Sequence, residues 1–263
     1  MRRLRKSDRE VIDAYFRQQR WDTFYHYFPL MYAISETGPV ITFEPDAGRL
    51  WVVPDEELYC PSWGAGYFQY PTIAEKVWVG PHPCPMRLGR SELYDVNYIY
   101  DLERTLRIKN FRKNVRRFER EHRSVSYEVL SPDDSPIARY IVERWYEISK
   151  RSEFTDFGYT MWLSDRFGEF HDLRARVVYA DGEPVAFSLW GVLRPGLGVH
   201  LVCKDVGWPY LQDYARYMTY REMLGEGLVM ANDGSDCNEH GIRMYKLKLR
   251  PRFIVPIWSW VRE

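Results

Sequence analysis

Hydrophobic positions along this chain switch between a helical period of about 3.6 and the strand period of two, and the switches set out an order of elements. Ser7 and Asp8 carry N-cap side chains. After them Val11, Ile12, Tyr15 and Phe16 recur at helical spacing, predicting a first helix ahead of the aromatic stretch at residues 21–32. Apolar runs at residues 39–43, 48–53 and 76–79, separated by Gly and Pro, predict strands and turns. Residues 59–70 include Trp63, Tyr67, Phe68 and Tyr70, which suit either a pocket lining or a core.

From residue 106 to 122 the pattern is amphipathic. Ile108, Phe111, Val115 and Phe118 form an apolar stripe, while Arg107, Lys109, Arg112, Lys113, Arg116, Arg117 and Arg120 fill the other faces. Ser135 as N-cap and Pro136 as first helical residue announce a further helix that buries Ile137, Ile141, Trp145 and Ile148 and ends near Ser152. Residues 177–179 and 185–189 alternate at the strand period on either side of Asp181-Gly182, a pair that favours a tight hairpin. The turn Arg194-Pro195-Gly196 leads to a third strand at 198–203. A helix over 210–224 follows, with Leu211, Tyr214, Ala215 and Met218 on one face and its exit at Gly225 and Gly227. Residues 228–231 read as a buried strand, followed by a polar loop, a short helix and a last strand at 254–261. Strands and helices interleaved in this order predict an α/β (α+β) fold around mixed sheets, without internal sequence repeats.

Composition narrows the class. With 45% hydrophobic and 16% aromatic residues in 263, the chain can bury one large core or two small ones, which excludes disorder. Lys plus Arg and Asp plus Glu both number 37, so attraction to a polyanion by the whole molecule is excluded and any charge effect is local. Cys60, Cys84, Cys203 and Cys237 show no CxxC spacing, which points to a reducing, cytoplasmic setting. No apolar run approaches the roughly 18–20 residues that a membrane span needs, and the basic N-terminus lacks a following apolar segment, so neither a span nor secretion is expected. His26, His82, His122, His171, His200 and His240 lack metal-ligand spacing, and no metal site is expected.

The segment from Asn232 to Pro251 has the skeleton N-x-x-x-D-x-x-x-x-G-[LI]-R-x-x-K-x-x-x-x-P, set by Asn232, Asp236, Gly241, Ile242, Arg243, Lys246 and Pro251. It resembles the C-terminal signature of the catalytic domain of the phosphatidylglycerol lysyltransferase family. Tyr98-Ile99-Tyr100-Asp101-Leu102 and the basic run from Arg112 to Phe118 resemble corresponding parts of that group, though peptidoglycan-bridge aminoacyltransferases carry similar basic helices. The likeness is good over about residues 94–251 and only an outline before that. Asn238 stands where the family usually has Gly, and Asn tolerates the left-handed backbone next best. The membrane-embedded portion of the family is absent from this sequence, which puts the lipid substrate in question.

The resemblance implies tandem GNAT-like (acetyltransferase-like) halves, an N-terminal one over 1–95 and a catalytic one over 96–263. It also implies transfer of an aminoacyl group from aminoacyl-tRNA to an amine or hydroxyl. That chemistry needs an attacking acceptor, donors for an oxyanion and an anion to hold the amino acid's ammonium. By the comparison Asp236 grips the ammonium, Arg243 holds a carbonyl or phosphate, and Lys246 stabilises phosphate or oxyanion. Asn232, Asp233, Glu239, Lys204 and Lys248 are the further substrate-binding candidates. Each has a structural rival: Asp236 as a helix cap, Arg243 and Lys246 as surface charges paired with Glu239. Arg112, Lys113, Arg116, Arg117 and Arg120 would meet a tRNA backbone, or form a solvated face interleaved with Glu119 and Glu121.

Residues 204–209, Lys-Asp-Val-Gly-Trp-Pro, occupy the junction where CoA-dependent acetyltransferases carry a Gly-rich pyrophosphate loop, and they lack it. This disfavours CoA, and no cofactor is expected. The leading expectation is an aminoacyltransferase with aminoacyl-tRNA and a small amino-acid substrate as partners. The alternative is a transferase that attaches an amino acid to an activated base in nucleic acid. A non-catalytic binding module and a CoA-dependent N-acyltransferase stand behind these.

Overall fold

The computed structural model describes residues 2–19, 23–24, 27–37, 40–44, 49–53, 76–80, 89–149, 156–237 and 239–262. The aromatic segment at 59–70, Cys60, Cys84, the expected helix end at Ser152 and Asn238 lie outside them. In chain order the elements are β1 (Arg2–Arg3), α1 (Arg9–Gln19), α2 (Phe28–Thr37), β2 (Val40–Glu44), β3 (Arg49–Val53), β4 (Lys76–Gly80), β5 (Gly89–Asp101), α3 (Leu102–Leu106), α4 (Lys109–Glu121) and β6 (Val125–Val129). There follow α5 (Ser135–Ser149), α6 (Phe157–Arg166), β7 (Arg174–Ala180), β8 (Glu183–Arg194), β9 (Leu197–Asp205), α7 (Leu211–Gly225), β10 (Met230–Asn232), α8 (His240–Lys248) and β11 (Phe253–Arg262).

Strands β1, β2 and β3 make a small antiparallel sheet. The other eight form one mixed sheet in the order β4-β11-β5-β10-β9-β8-β7-β6. All its pairings are antiparallel except β9 with β10, which α7 joins as a crossover. One face packs against α5 and α6, with α1 and α2 beyond, around Phe28, Ile141, Leu163, Phe187 and Leu189. The other packs against α3, α4, α7 and α8, around Phe111, Phe118, Tyr100, Trp190 and Tyr220. Burying such aromatic side chains stabilises the fold by roughly 1.5–3 kcal/mol each.

The stripe on α4 behaves as its spacing predicts: Phe111, Val115 and Phe118 are buried and the cations between them face outward. The hairpin at Asp181-Gly182 forms, with both residues at positive φ. Other details differ. Val11 is 54% exposed although Ile12 is buried, since neighbours on a helix point about 100° apart and one stripe cannot hold both. Ile148, in the last turn of α5, is half exposed, and Ser135 is the first residue of that helix rather than its cap, because a short 3-10 turn at Pro132–Asp134 precedes it. The helix expected over 106–122 is α4, which starts at Lys109 because Ile108 takes an extended backbone as its N-cap, while α3 at Leu102–Leu106 was not expected.

Candidate active site

The parallel pair of β9 and β10 positions the site. Its ladder ends at Val199 opposite Asn232, where β9 continues to Asp205 but the chain leaving β10 stays with β5, through Asp233 N–H to Tyr98 O and Tyr98 N–H to Gly234 O. Side chains occupy the divergence. Gly234 turns the loop with φ of 65°, and a Cβ there would stand 3.1 Å from the Phe24 ring, so both backbone and neighbour require glycine. Asn232 is buried and structural: its Oδ1 accepts from Gly234 N–H, and its Nδ2 donates to Asn97 Oδ1, which also accepts from Phe24 N–H.

Asp233 is the hub of a buried charge cluster. Arg216 from α7 brings Nε within 2.9 Å of Oδ2, and Lys246 from α8 lies 3.5 Å from the same oxygen while also donating to the Asp233 carbonyl. His200 from β9 meets Oδ1 at 2.9 Å. Burial alone would raise the Asp233 pKa, but Arg216, Lys246 and the His200 hydrogen bond outweigh it and hold the carboxyl well below the usual range. Burial pushes His200 down, and it also pushes Lys246 down, against the partial opposition of Asp233. A neutral His200 facing a carboxylate donates through Nδ1, so its Nε2 accepts from the Ser188 hydroxyl at 2.9 Å. Ser188 in turn meets Thr219 at 2.7 Å, and Thr219 meets Tyr127 at 3.0 Å. The Ser188–His200–Asp233 succession has the order of a nucleophile relay, yet the buried Ser188 hydroxyl is held between His200 and Thr219. Its role is to fix the imidazole that fixes Asp233.

A second carboxylate stands beside this hub. Asp236 is fully buried; its Oδ2 accepts from Tyr98 Oη at 2.6 Å and from Arg243 Nε at 2.7 Å, and Arg243 Nη2 approaches Oδ1 at 3.4 Å. Tyr98 joins the clusters, because the Lys246 ammonium lies over its ring at 5.5 Å. Burial, then the hydrogen bond and charge of Asp236, push the Tyr98 phenol up, keeping it a donor. Arg243 is the outward member, with 44% of its side chain exposed. Asp236 thus does not cap α8; the N-cap is Glu239, which makes no side-chain cap bond, and Glu239 N–H bonds to the Asp236 carbonyl.

Of the residues singled out in the sequence, Asp233, Asp236, Arg243 and Lys246 come together, with Asn232 holding their loop. Glu239 is exposed at the start of α8. Lys204 belongs to the α5–α6 side, where its ammonium bonds Asp156 at 2.6 Å and sits 3.6 Å from the Trp145 ring centre. Lys248 points elsewhere, 3.9 Å from Asp213 and beside Tyr245. On α4, Arg112, Lys113, Arg116, Arg117 and Arg120 are all exposed. Arg117 pairs with Glu121 and lies over the Tyr210 ring, and Arg120 bonds the Arg116 carbonyl. Among the described residues Arg112, Lys113 and Arg116 form no ion pair.

Sequence reading missed Arg216, His200, Ser188 and Thr219 as site residues and named Tyr98 only within the Tyr98–Leu102 resemblance. Arg216 carried a signal, since its place in the Leu211–Met223 pattern sets a guanidinium on the inner side of an otherwise apolar helix. His200 carried another, a titratable residue amid Val199, Leu201 and Val202 in a central strand. Both are the buried polar exceptions that ask for an explanation. Among the described residues no group of His, Cys, Asp and Glu is arranged to hold a metal ion, and no helix is long and apolar enough to cross a membrane.

The architecture has counterparts among solved structures. A conserved protein of unknown function from Bacteroides thetaiotaomicron superposes with a TM-score of 0.80 at 14% identity, over 100% of this chain and 99% of that one. L-PGS from Bacillus licheniformis gives 0.67 at 16% identity, over 99% and 93%. The C-terminal domain of a putative lysylphosphatidylglycerol synthetase from Agrobacterium fabrum gives 0.62 at 14% identity, over 97% and 93%. No protein-family model matches the sequence, and no curated protein matches it either. The chain therefore has the mixed α/β fold of these proteins, as the resemblance implied.

Proposed function

We propose that this chain is an aminoacyltransferase that takes an amino acid from aminoacyl-tRNA and passes it to an amine or hydroxyl of a soluble acceptor, in the cytoplasm. The observation that carries the reading is the convergence of Asp236, Arg243 and Lys246 about Tyr98, with the acid buried and its arginine partner exposed. An incoming ammonium has the charge of the Arg243 guanidinium and takes over its place on Asp236, leaving Arg243 for a phosphate or carbonyl oxygen. Lys246, anchored by Asp233, supplies positive charge where the ester carbonyl becomes an oxyanion. The acceptor nitrogen or oxygen attacks that carbonyl, the bond to the tRNA ribose breaks, and the acceptor's proton passes to the departing ribose oxygen. Arg112, Lys113, Arg116, Arg117 and Arg120 form the electrostatic face for the tRNA backbone. Catalysis is assigned to residues 96–263, with 1–95 as the companion half. The fold shared with L-PGS and with the putative lysylphosphatidylglycerol synthetase domain supports this reading.

The test is retention of radiolabelled aminoacyl-tRNA and its deacylation with a panel of soluble amines and alcohols. Wild type is expected to bind and to transfer, D236N to lose amino-acid-dependent binding, and K246M to bind but not transfer. Absence of both binding and deacylation by wild type across the aminoacyl-tRNAs overturns the proposal.

A further inference from the structure

Strand β6 is the last of the eight, and among the described residues its outer edge pairs with no strand. Sheets guard such edges with Pro, bulges or a row of cations, because unpaired N–H and C=O groups are a template for another strand. Here the guards are missing: the β6–β7 ladder runs from Val125 to Val129 without a bulge, and Glu128 is its single charged residue. The direction of the free groups follows from the two ends of the ladder. Asp181 N–H bonds to Ser124 O and Leu130 N–H to Ala175 O, so the even-numbered residues face β7. Alternation then leaves the N–H and C=O of Val125, Tyr127 and Val129 pointing outward. Val125 and Tyr127 pack on the α7 side, but Val129 beyond them is 73% exposed, the most exposed of the described large apolar residues.

This edge is complementary to itself. Residues 125–129 read Val-Ser-Tyr-Glu-Val, and a second copy running the other way about Tyr127 puts Val125 opposite Val129, Ser126 opposite Glu128 and Tyr127 opposite Tyr127. The outward groups of 125, 127 and 129 then meet as hydrogen-bonded pairs. Each exposed Val129 is covered by Val125 of the other copy, and the two Glu128 side chains stand on the diagonal rather than face to face. Just outside the ladder the same symmetry brings Arg123, exposed ahead of β6, toward Asp133, exposed behind it, at both ends of the seam. Among the described residues neither forms an ion pair within its own chain. We infer that the protein self-associates through β6, as a two-fold dimer in which the two large sheets become one across antiparallel β6 strands. A seam of five residues a side is small beside the roughly 1,200–2,000 Å² of a standard interface, so association depends on concentration. Edge geometry and charge carry the inference, which stands or falls independently of aminoacyl transfer.

The test is sedimentation equilibrium of the purified chain over a range of concentrations. Expected is a mass that rises from that of one chain toward twice that value. V129P removes one outward N–H and an exposed side chain, so it is expected to keep Tm near that of the wild type and to abolish the rise. R123D, at an exposed position, is expected to weaken association, and R123D/D133R, which swaps the two charges, to restore it. A single-chain mass at every concentration overturns the inference and leaves the edge to a foreign strand or to none. A dimer that V129P and R123D leave unaltered overturns it too, because it forms through another surface. Should V129P not fold, the charge swap decides, undiminished association of R123D being the refuting result.

Discussion

Replacing Asp233 by Asn isolates the charge of the hub while keeping a similar volume and an oxygen for His200. At an effective dielectric of about 20, a unit pair at the 2.9 Å of Arg216 attracts by roughly 6 kcal/mol and one at the 3.5 Å of Lys246 by roughly 5 kcal/mol. Most of this is consumed by the desolvation of three buried ions, each of which costs several kcal/mol, so the intact cluster contributes little net stability. Removing the carboxylate alone is another matter. It leaves two cations buried side by side without their counter-ion, and the cost is about 3–5 kcal/mol, a large share of the roughly 5–15 kcal/mol that holds a domain together. Urea unfolding at pH 7 measures it. D233N is expected to lower the midpoint by that energy divided by the slope, with the slope unchanged, and R216M is expected to be much less harmful in the D233N background than alone. A loss below about 1 kcal/mol in D233N, or additive losses in the double variant, would refute the argument that these charges are desolvated and mutually dependent.

His200 gives a pH signature. Its folded pKa lies below the unfolded value of about 6.5, so between the two the unfolded chain holds more protons and stability falls as pH drops from about 7; H200N is expected to lose this dependence, and parallel unfolding curves for wild type and H200N between pH 8 and 5 contradict it. Gly191 on β8 faces Tyr27, and an added Cβ would stand 2.0 Å from the phenol oxygen, which is held by Asp172. G191A should therefore cost about 1–3 kcal/mol, and less in a Y27A background, as denaturant midpoints will show. On α4, joint replacement of Arg112, Lys113, Arg116 and Arg120 by Gln should leave Tm within a degree or two, since these side chains are exposed. The same variant should weaken tRNA retention and flatten its salt dependence, and unchanged retention removes α4 from the tRNA face.

Legibility in the sequence followed how local the deciding physics is. The α4 stripe, the Asp181-Gly182 hairpin and α7 are set by spacing and turn chemistry within a few residues, and they stand where the pattern places them. Three helices went unread, α2, α6 and the short α3. In Phe28-Pro29-Leu30-Met31-Tyr32 and in Phe157–Arg166 apolar residues run around much of the helix instead of along one stripe, because each is packed from several sides. Strand β5 was hidden for a related reason: polar Asp95 and Asn97 precede Tyr98 and Tyr100 in a stretch, 95–100, that is buried on both faces, so its polar positions look like loop.

The site divides along the same line. Asp236, Arg243 and Lys246 lie within one turn-and-helix segment, where Arg243 and Lys246 are three apart and fall one helical turn from each other, so a linear motif could announce them. What makes that segment chemically unusual comes from elsewhere in the chain. Arg216 arrives on α7, His200 and Ser188 from adjacent strands, and Tyr98 from β5, and each is brought to the loop by sheet order alone. Sequence could have flagged them only as polar residues out of place: an arginine on the inner face of a helix, a histidine between valine and leucine in a central strand. A misplaced buried polar group is stable only if something completes it. For His200 the completing partners, Asp233 and Ser188, are inside the fold. For Arg216 they are the Asp233 carboxylate beside it and the Tyr245 ring beneath its guanidinium, both brought in by other elements of the fold.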